Sequence, residues 1–441
     1  MKATVTPASR PFAAWWVVAV MFFSSIVSVI DRGILTLVVD PIRADLGIGD
    51  VDMSLLLGLS FGIFYALVGI PLGLSADRLS RRKLLMTGVG LWSIATFLGG
   101  LSQDYWHLFA SRLLVGLGEA TLAPCAVSMI ADMFPANRRA LPVSIYLMGQ
   151  SVAGGLSLAL TGAVLSAVPA GQLDWIPGIA SLAPWRVALV LAGCLGVPVV
   201  AMIASIREPE RRSLPDKDSQ SFAATARFLA RRWTTFAPFY AGFALLVMMA
   251  YSSAAWGATF IMRRFAISAG NLGQMQGSLS MVLGLAGALS AGILYDVVAR
   301  RAGSRRKLLV LALIAALMAP LSCIVLAPSA LAAVVMIALG GLLMPMIGTG
   351  MVTTLQDMLP GRMHGVGVSL FGLFNTMTGQ ALAPWLVAVV AGGLAAGEGG
   401  AAIGPALGLV GVPAALGACA LFLTTYRAAR LPADPRGVAQ S

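Results

Sequence analysis

Four charged residues stand inside otherwise apolar stretches: Asp31 and Arg32 in one, Arg112 and Glu119 in another. An ionised side chain surrounded by lipid is costly, so each must face a partner or a cavity. Their charges sum to zero, which permits mutual pairing. In the first stretch Ser24, Ser28, Arg32 and Thr36 recur every fourth residue. On a helix they form one polar stripe, with Asp31 about 100° round from Arg32. In the second, Arg112, Gly116 and Glu119 share a face, with Arg112 about 10 Å from Glu119 at the helical rise. Burial favours the neutral form of a carboxyl, and a neighbouring guanidinium favours the charged form. A site balanced between the two can load and release a proton. Glu119 is the first candidate for that role and Asp31 the second. Arg32 and Arg112 are expected to alternate between these carboxylates and an anionic substrate group, which suits the guanidinium fork. The competing expectation is a fixed ion lock between the two helices.

The elements that position these residues follow from composition. The chain has 441 residues, 58% hydrophobic and 11% charged. A soluble domain carries roughly 45–50% apolar and about 25% charged residues. Lipid is the solvent this balance implies. Twelve apolar runs appear, the first at about 13–38 and the last at about 403–427. Each is long enough to span a bilayer as a helix. Without a barrel's alternating pattern, helices are the form that satisfies such a backbone. Lys2 and Arg10 before the first run resemble a signal peptide. Asp31 and Arg32 stand where a cleavage site belongs, so a retained first span is expected.

Of the 30 lysines and arginines, Arg43, Arg186, Arg263 and Arg264 fall in one set of alternate loops, and Arg32 and Arg112 within spans. The rest lie in the other loops and the two tails. That asymmetry places both termini in the cytoplasm. The net charge of +12 is spread through these short loops, with no basic surface interleaved with aromatics, so nucleic acid is not an expected partner. The cysteines Cys125, Cys194, Cys323 and Cys419 have neither metal nor disulfide spacing and read as small core residues. Two histidines without acidic companions assemble no catalytic constellation, so an enzyme is not expected.

A polar segment from about 207 to 235 divides the spans six and six. The expected organisation is a bundle over 1–206, a cytoplasmic linker over 207–235 with a short amphipathic helix near 222–233, and a second bundle over 236–441. The halves repeat each other. Gly73, Asp77, Arg78, Arg81, Arg82 and Lys83 between spans 2 and 3 are echoed by Gly292, Asp296, Arg300, Arg305, Arg306 and Lys307 between spans 8 and 9. Asp132-Met133-Phe134-Pro135 with Arg138 after span 4 is echoed by Asp357-Met358-Leu359-Pro360 with Arg362 after span 10. Parallel six-helix repeats are one of the known transporter architectures.

The loop around Asp77-Arg78 resembles the loop between helices 2 and 3 of the major facilitator superfamily, with Ser80 in place of its second glycine. The chain is further similar to the bacterial spinster-like branch. Asp31-Arg32, Pro41-Ile42, Leu46-Gly47, Phe61-Gly62, Gly69 to Gly73, Arg112 to Ala120, Trp185-Arg186, Arg207-Glu208-Pro209, Trp256 and Arg263 carry that likeness. It is dense over residues 10–210 and thin after about 270. The resemblance implies an all-α membrane protein of twelve helices in two six-helix bundles, monomeric, in the bacterial inner membrane. It implies a cytoplasmic latch of Asp77, Arg78, Arg81, Asp132 and Arg138 that is structural. It assigns proton coupling to the matching aspartate-arginine pair and glutamate, with a proton gradient in place of any cofactor. The cargo it implies is lysophospholipid or sphingolipid-like.

The second half supports that cargo from its own residues. Its spans show no deep charge, but they hold Tyr251, Ser252, Ser253, Gln274, Gln276, Asn375, Thr376, Thr378 and Gln380. Tyr251 and Asn375 are the expected substrate contacts. A charged wall facing an apolar one suits an amphiphile. The alternative is a proton-coupled symporter of a small organic anion such as a sugar acid, which inward-pointing polar donors on the second wall would favour.

Overall fold

The computed structural model describes residues 11–65, 67–68, 72, 79–135, 138–209, 211, 222–360, 363–394 and 402–429. These contain helices and turns and no strand. The helices corresponding to the twelve spans are labelled α1 to α12. They are α1 (Pro11–Ile34), α2 (Asp50–Ser54, the π-helical Leu55–Leu59 and 60–65), α3 (Arg81–Gly100), α4 (Tyr105–Met133), α5 (Ala140–Ala167) and α6 (Pro184–Ser205). After the linker helix Phe222–Arg231 come α7 (Trp233–Phe265), α8 (Ala269–Ala302), α9 (Lys307–Leu321), α10 (Ala330–Met358), α11 (His364–Leu394) and α12 (Ile403–Ala428). Among the described residues, ten of these are long and apolar enough to cross a membrane. The remaining two are α2, whose later residues lie outside the described set, and α9, with 15 residues.

Local sequence sets the helix starts. Ser80, Asp104, Ser268 and Ser329 each accept a hydrogen bond from a backbone amide three residues on, opening α3, α4, α8 and α10. Such caps satisfy amides that have no partner within the helix. The first apolar run ends earlier as helix than expected. α1 stops at Ile34, where the Thr36 hydroxyl turns back to the Gly33 carbonyl at 2.7 Å. The cysteines also differ from expectation: Cys125 is buried, but Cys194 is exposed.

The face holding the first residues of α1 and the linker helix is called the linker face. At the opposite face one apolar cluster runs through both halves, from Ile34, Met53 and Trp185 to Trp256, Ile261 and Val387. Towards the linker face the packing divides. One cluster holds Val17, Trp92 and Met129 of the first half, and another holds Phe239, Leu311 and Phe422 of the second. Among the described residues, the halves therefore share one buried apolar cluster at one face and have separate clusters towards the other. With no hydrophobic drive between helices in lipid, small residues set how closely they join. On α5 and α8, a Cβ at Gly155 would lie 2.4 Å from the Gly277 carbonyl oxygen. Backbone meets backbone along that seam.

Candidate functional site

The four intramembrane charges meet between α1 and α4 as two ion pairs. Arg112 donates to Asp31 at 2.8 Å, and Arg32 Nε lies 3.1 Å from Glu119 Oε2. Ser28, one turn before Arg32, donates to the same Glu119 oxygen at 2.6 Å and receives Arg32 at 3.2 Å. The other Asp31 oxygen accepts from Thr96 of α3. The stripe and the shared face read from spacing thus converge. Thr96 was not foreseen, because a lone threonine in an apolar run carries no signal of its depth or direction.

The two pairs differ in access. The side chains of Asp31 and Arg112 are 2% and 3% exposed, so this pair is sealed among helices. The Arg32 side chain is 30% exposed, and Glu119 behind it is 1% exposed. Arg32 lies over the Phe61 ring at 5.2 Å and is within electrostatic range of Tyr65, Tyr146 and Tyr251. Arg112, expected to alternate between a carboxylate and substrate, is turned onto the Asp31 carboxylate in this conformation. Among the described residues, Glu119 Oε1 and Arg112 Nε are buried with no hydrogen-bond partner.

Local chain breaks place these groups. Glu119 ends the first segment of α4, Tyr105–Glu119, and a turn at Ala120-Thr121 separates it from Leu122–Met133. A Cβ at Gly116 would lie 2.4 Å from the Phe61 carbonyl, so glycine lets α2 press its aromatic ring up to the network. α2 and α11 each contain a π-helical segment, Leu55–Leu59 and Asn375–Leu382. Widened turns of this kind frequently mark functional sites. The two face each other, and a Cβ at Gly58 would come within 2.3 Å of the Gln380 carbonyl oxygen.

The second half contributes neutral groups. Asn375 Nδ2 and Gln380 Nε2 donate to the Tyr251 hydroxyl at 3.3 and 3.2 Å. A phenol oxygen has two acceptor sites and one proton. The Tyr251 oxygen therefore accepts from two amides of α11. Gln380 Oε1 is buried without a partner among the described residues. Tyr251 and Asn375 were expected substrate contacts, and Gln380 of the π-helical segment joins them on the Tyr251 hydroxyl.

At the linker face Arg81, buried at the start of α3, donates to Asp132, to Ser128 at 2.9 Å and to the Pro209 carbonyl at 2.8 Å. Glu208 accepts from Ser80 and, at 2.7 Å, from the Arg81 amide. Partial burial pushes the Glu208 carboxyl up, but those hydrogen bonds and the Arg81 charge outweigh it and hold the group below its ordinary range. The expected latch residues Asp77 and Arg78 lie outside the described residues. Arg138 is exposed, and its amide donates to the Pro135 carbonyl. Glu208, read from sequence as part of the linker and of the Arg207-Glu208-Pro209 likeness but not as a latch residue, is a member of the cluster.

A second unforeseen cluster closes the opposite face. Arg263, at the end of α7, donates to Asp40 and Asp50 of the first half at 2.5–3.2 Å. Arg43 lies 3.1 Å from Asp50. Trp185 and Arg186 both hold Asp45 nearby. The sequence showed two basic residues in a short loop but not which carboxylates they would reach.

A model of the Major Facilitator Superfamily matches residues 21–384. The chain belongs to that superfamily. Among curated relatives of this facilitator, an MFS-type efflux pump of Mycolicibacterium smegmatis (strain ATCC 700084 / mc(2)155) is 28% identical over 296 residues, 66% of this chain and 64% of the pump. Protein spinster of Drosophila melanogaster is 28% identical over 297 residues, 65% of this chain and 46% of that protein. The match spans less than two thirds of either relative's length. The crystal structure of a bacterial homolog to the human lysosomal transporter Spinster, inward-facing and unoccupied, aligns with TM-score 0.76 and 23% identity, covering 96% of this chain and 98% of that one. The facilitator is thus a multi-pass membrane protein related to spinster, with the two-bundle fold of its superfamily.

Proposed function

We propose that this protein is a proton-coupled transporter of an amphiphilic, lipid-like anion of the lysophospholipid or sphingolipid-like class. One observation carries the reading: Arg32 is partly exposed while its guanidinium rests on a carboxylate sealed behind it. An anionic head group entering the cavity competes for that guanidinium. As Arg32 swings to the anion, Glu119 loses its cation, takes a proton from cavity water and becomes neutral. Anion and proton load together, and the reverse exchange releases both. Asp31 and Arg112 act as the anchor that fixes α1 against α4 during this exchange. The head group's donors and acceptors meet Tyr251, Asn375 and Gln380, and its tail follows the apolar wall between the halves.

In this reading residues 1–206 and 236–441 are the two rocking bundles and 207–235 the tether. The linker face and both termini lie on the cytoplasmic side of a bacterial inner membrane in this reading, an orientation that the basic bias of the loops supports. The conformation described here is then inward-open, with Arg263, Asp40 and Asp50 among the contacts that close the outer side. The protein works as a monomer, driven by the proton gradient with no cofactor.

The test is transport in proteoliposomes carrying a pH gradient. Glu119→Gln abolishes gradient-driven uptake and retains substrate binding. Normal gradient-driven uptake by that variant overturns the proton-carrier assignment. Substrate class is read from thermal stability with lysophospholipids and with sugar acids, since a ligand bound only by the folded state raises its melting temperature. Stabilisation by a lysolipid, lost in Arg32→Ala, supports the amphiphile. The hydrogen-bonding group at Tyr251 supports the second reading, a small organic anion such as a sugar acid, and stabilisation by sugar acids alone would establish it in place of the first.

A further inference from the structure

The polar stripe of α1 splits between two kinds of bond. Ser24 Oγ donates to the Val20 carbonyl of its own helix at 2.7 Å. Ser28, one turn later and 2% exposed, is turned off the helix instead. It gives its proton to Glu119 Oε2 at 2.6 Å and receives Arg32 Nη2 at 3.2 Å. A serine hydroxyl has one proton and two acceptor lone pairs. Its proton therefore points at the carboxylate while the guanidinium occupies a lone pair. The backbone that carries Ser28 is pinned on both sides. Ser25 Oγ donates to the Tyr146 carbonyl of α5 at 3.2 Å, and Ser157 Oγ of α5 donates to the Ile30 carbonyl at 3.0 Å. Ser28 is thus held against Glu119 independently of the Arg32 side chain. Among the described residues, the charged and titratable groups within electrostatic range of Glu119 are Arg32 and Asp31 of α1, Arg112 of α4, Tyr65 of α2 and Tyr146 of α5, and Tyr251 of α7 reaches Arg32. Ser28 is the side chain among them that is hydrogen-bonded to both Arg32 and Glu119.

The two protonation states of Glu119 ask opposite things of that hydroxyl. A carboxylate only accepts hydrogen bonds, whereas a carboxylic acid has a proton to donate. A buried acid without an acceptor carries the cost of an unmade hydrogen bond. Once Arg32 leaves, the lone pair it held on Ser28 Oγ opens and the hydroxyl can rotate. The Ser28 proton then has the Ser24 carbonyl four residues back as acceptor, the same kind of bond that Ser24 makes to Val20 one turn earlier. We propose that Ser28 is a positioning residue that reverses its hydrogen bond with Glu119 as Arg32 departs. It is donor to the carboxylate with the guanidinium in place, and acceptor from the carboxylic acid without it. The proton that Glu119 gains comes from cavity water, and the Ser28 proton stays on Ser28 throughout. This inference rests on the reading of Glu119 as proton carrier and adds the group that ties arginine position to proton occupancy.

The test is infrared difference spectroscopy of the full chain in phosphatidylcholine nanodiscs titrated with acid. It reads the carbonyl stretch of protonated carboxyls and needs no substrate. A band lost in Glu119→Gln belongs to Glu119. Loss of a hydrogen-bond partner moves such a band to higher wavenumber, and Ser28→Ala is expected to move it so. Ser28→Thr, which keeps the hydroxyl, should return it to the wild-type position. Ser24→Ala, whose lost hydroxyl is bonded to its own helix, should leave it there. Arg32→Ala should also leave it there, since the bond from the acid to Ser28 forms without the guanidinium. A Glu119 band at the same position in Ser28→Ala and the wild type overturns the switch and leaves the proton carrier standing. A Ser28→Thr band displaced as far as that of Ser28→Ala assigns the shift to packing and overturns the switch as well. A band displaced in Arg32→Ala as far as in Ser28→Ala does the same, because the acid is then not bonded to Ser28. Absence of a Glu119 band at every pH at which the fold survives overturns the proton carrier and the switch together.

Discussion

At the foot of the first bundle Arg81 reaches Asp132, 51 residues further on, and at the foot of the second Lys307 reaches Asp357, 50 residues further on. The repeat has kept this tie between the start of one helix and the end of the next. The interiors differ. The first bundle holds one sealed ion pair and one whose arginine is partly exposed, and the second holds a neutral group around one phenol. A repeated backbone thus duplicates the joints while leaving the chemistry of each cavity wall independent. Among the described residues, the intramembrane ion pairs lie in the first half, and the second presents neutral hydrogen bonds.

The sharpest way to break this comparison is to remove one member of the sealed pair. Arg112→Ala leaves Asp31 buried beside Thr96 without its guanidinium. It should cost about 3–5 kcal/mol, the usual penalty for stranding a buried charge. Joint replacement by Asp31→Asn and Arg112→Gln should recover much of that in chemical denaturation. A loss below ~1 kcal/mol for Arg112→Ala would mean the pair is not the anchor of α1 on α4.

The two latches give the next test. Arg81 is 1% exposed and bonded to several groups, whereas Lys307 and Asp357 are 9% and 29% exposed. Arg81→Ala should therefore cost several kcal/mol, about 3 or more. Lys307→Ala should cost about 1 kcal/mol or less, as for a partly solvated pair. Equal losses would show that the repeat preserved energetics as well as geometry.

On the neutral wall, Tyr251→Phe removes the acceptor shared by Asn375 and Gln380. Stability should fall by about 1 kcal/mol, one net hydrogen bond or so, and substrate affinity should fall with the proton-linked step intact. A changed pH profile in that variant would place Tyr251 within the coupling network.

The smallest effect belongs to Glu208. Its folded-state pKa lies below the unfolded value, so its contribution is present above the ordinary carboxylate range and is lost as pH falls through the depressed value. Melting temperature should drop more steeply below about pH 5 in the wild type than in Glu208→Gln. Parallel curves would show that the carboxylate does not tie the linker to α3.

Much of the scaffold was legible without coordinates. Arg81 with Asp132 and Lys307 with Asp357 were visible as repeated signatures, because helix-end charges recur at fixed offsets in a duplicated chain. Thr96, Glu208 and the Arg263 cluster were not, since each meets its partner through an angle between helices that no local pattern records. The linker helix was readable from its period, but the packing of Phe228 on Phe236 of α7 required the fold.

The sequence by itself determined that this chain lives in lipid as two related sets of helices. Apolar length and charge position are properties of each segment taken alone. It also determined that Asp31, Arg32, Arg112 and Glu119 must find one another or a cavity, because an isolated charge in hydrocarbon is too costly to persist. Only the tertiary structure decided that Arg112 takes Asp31 and Arg32 takes Glu119, and that Arg32 is the more exposed of the two arginines. Those choices depend on helix rotation, on the break after Glu119 and on how closely glycine lets Phe61 approach, all of which are set by packing among segments distant in the chain.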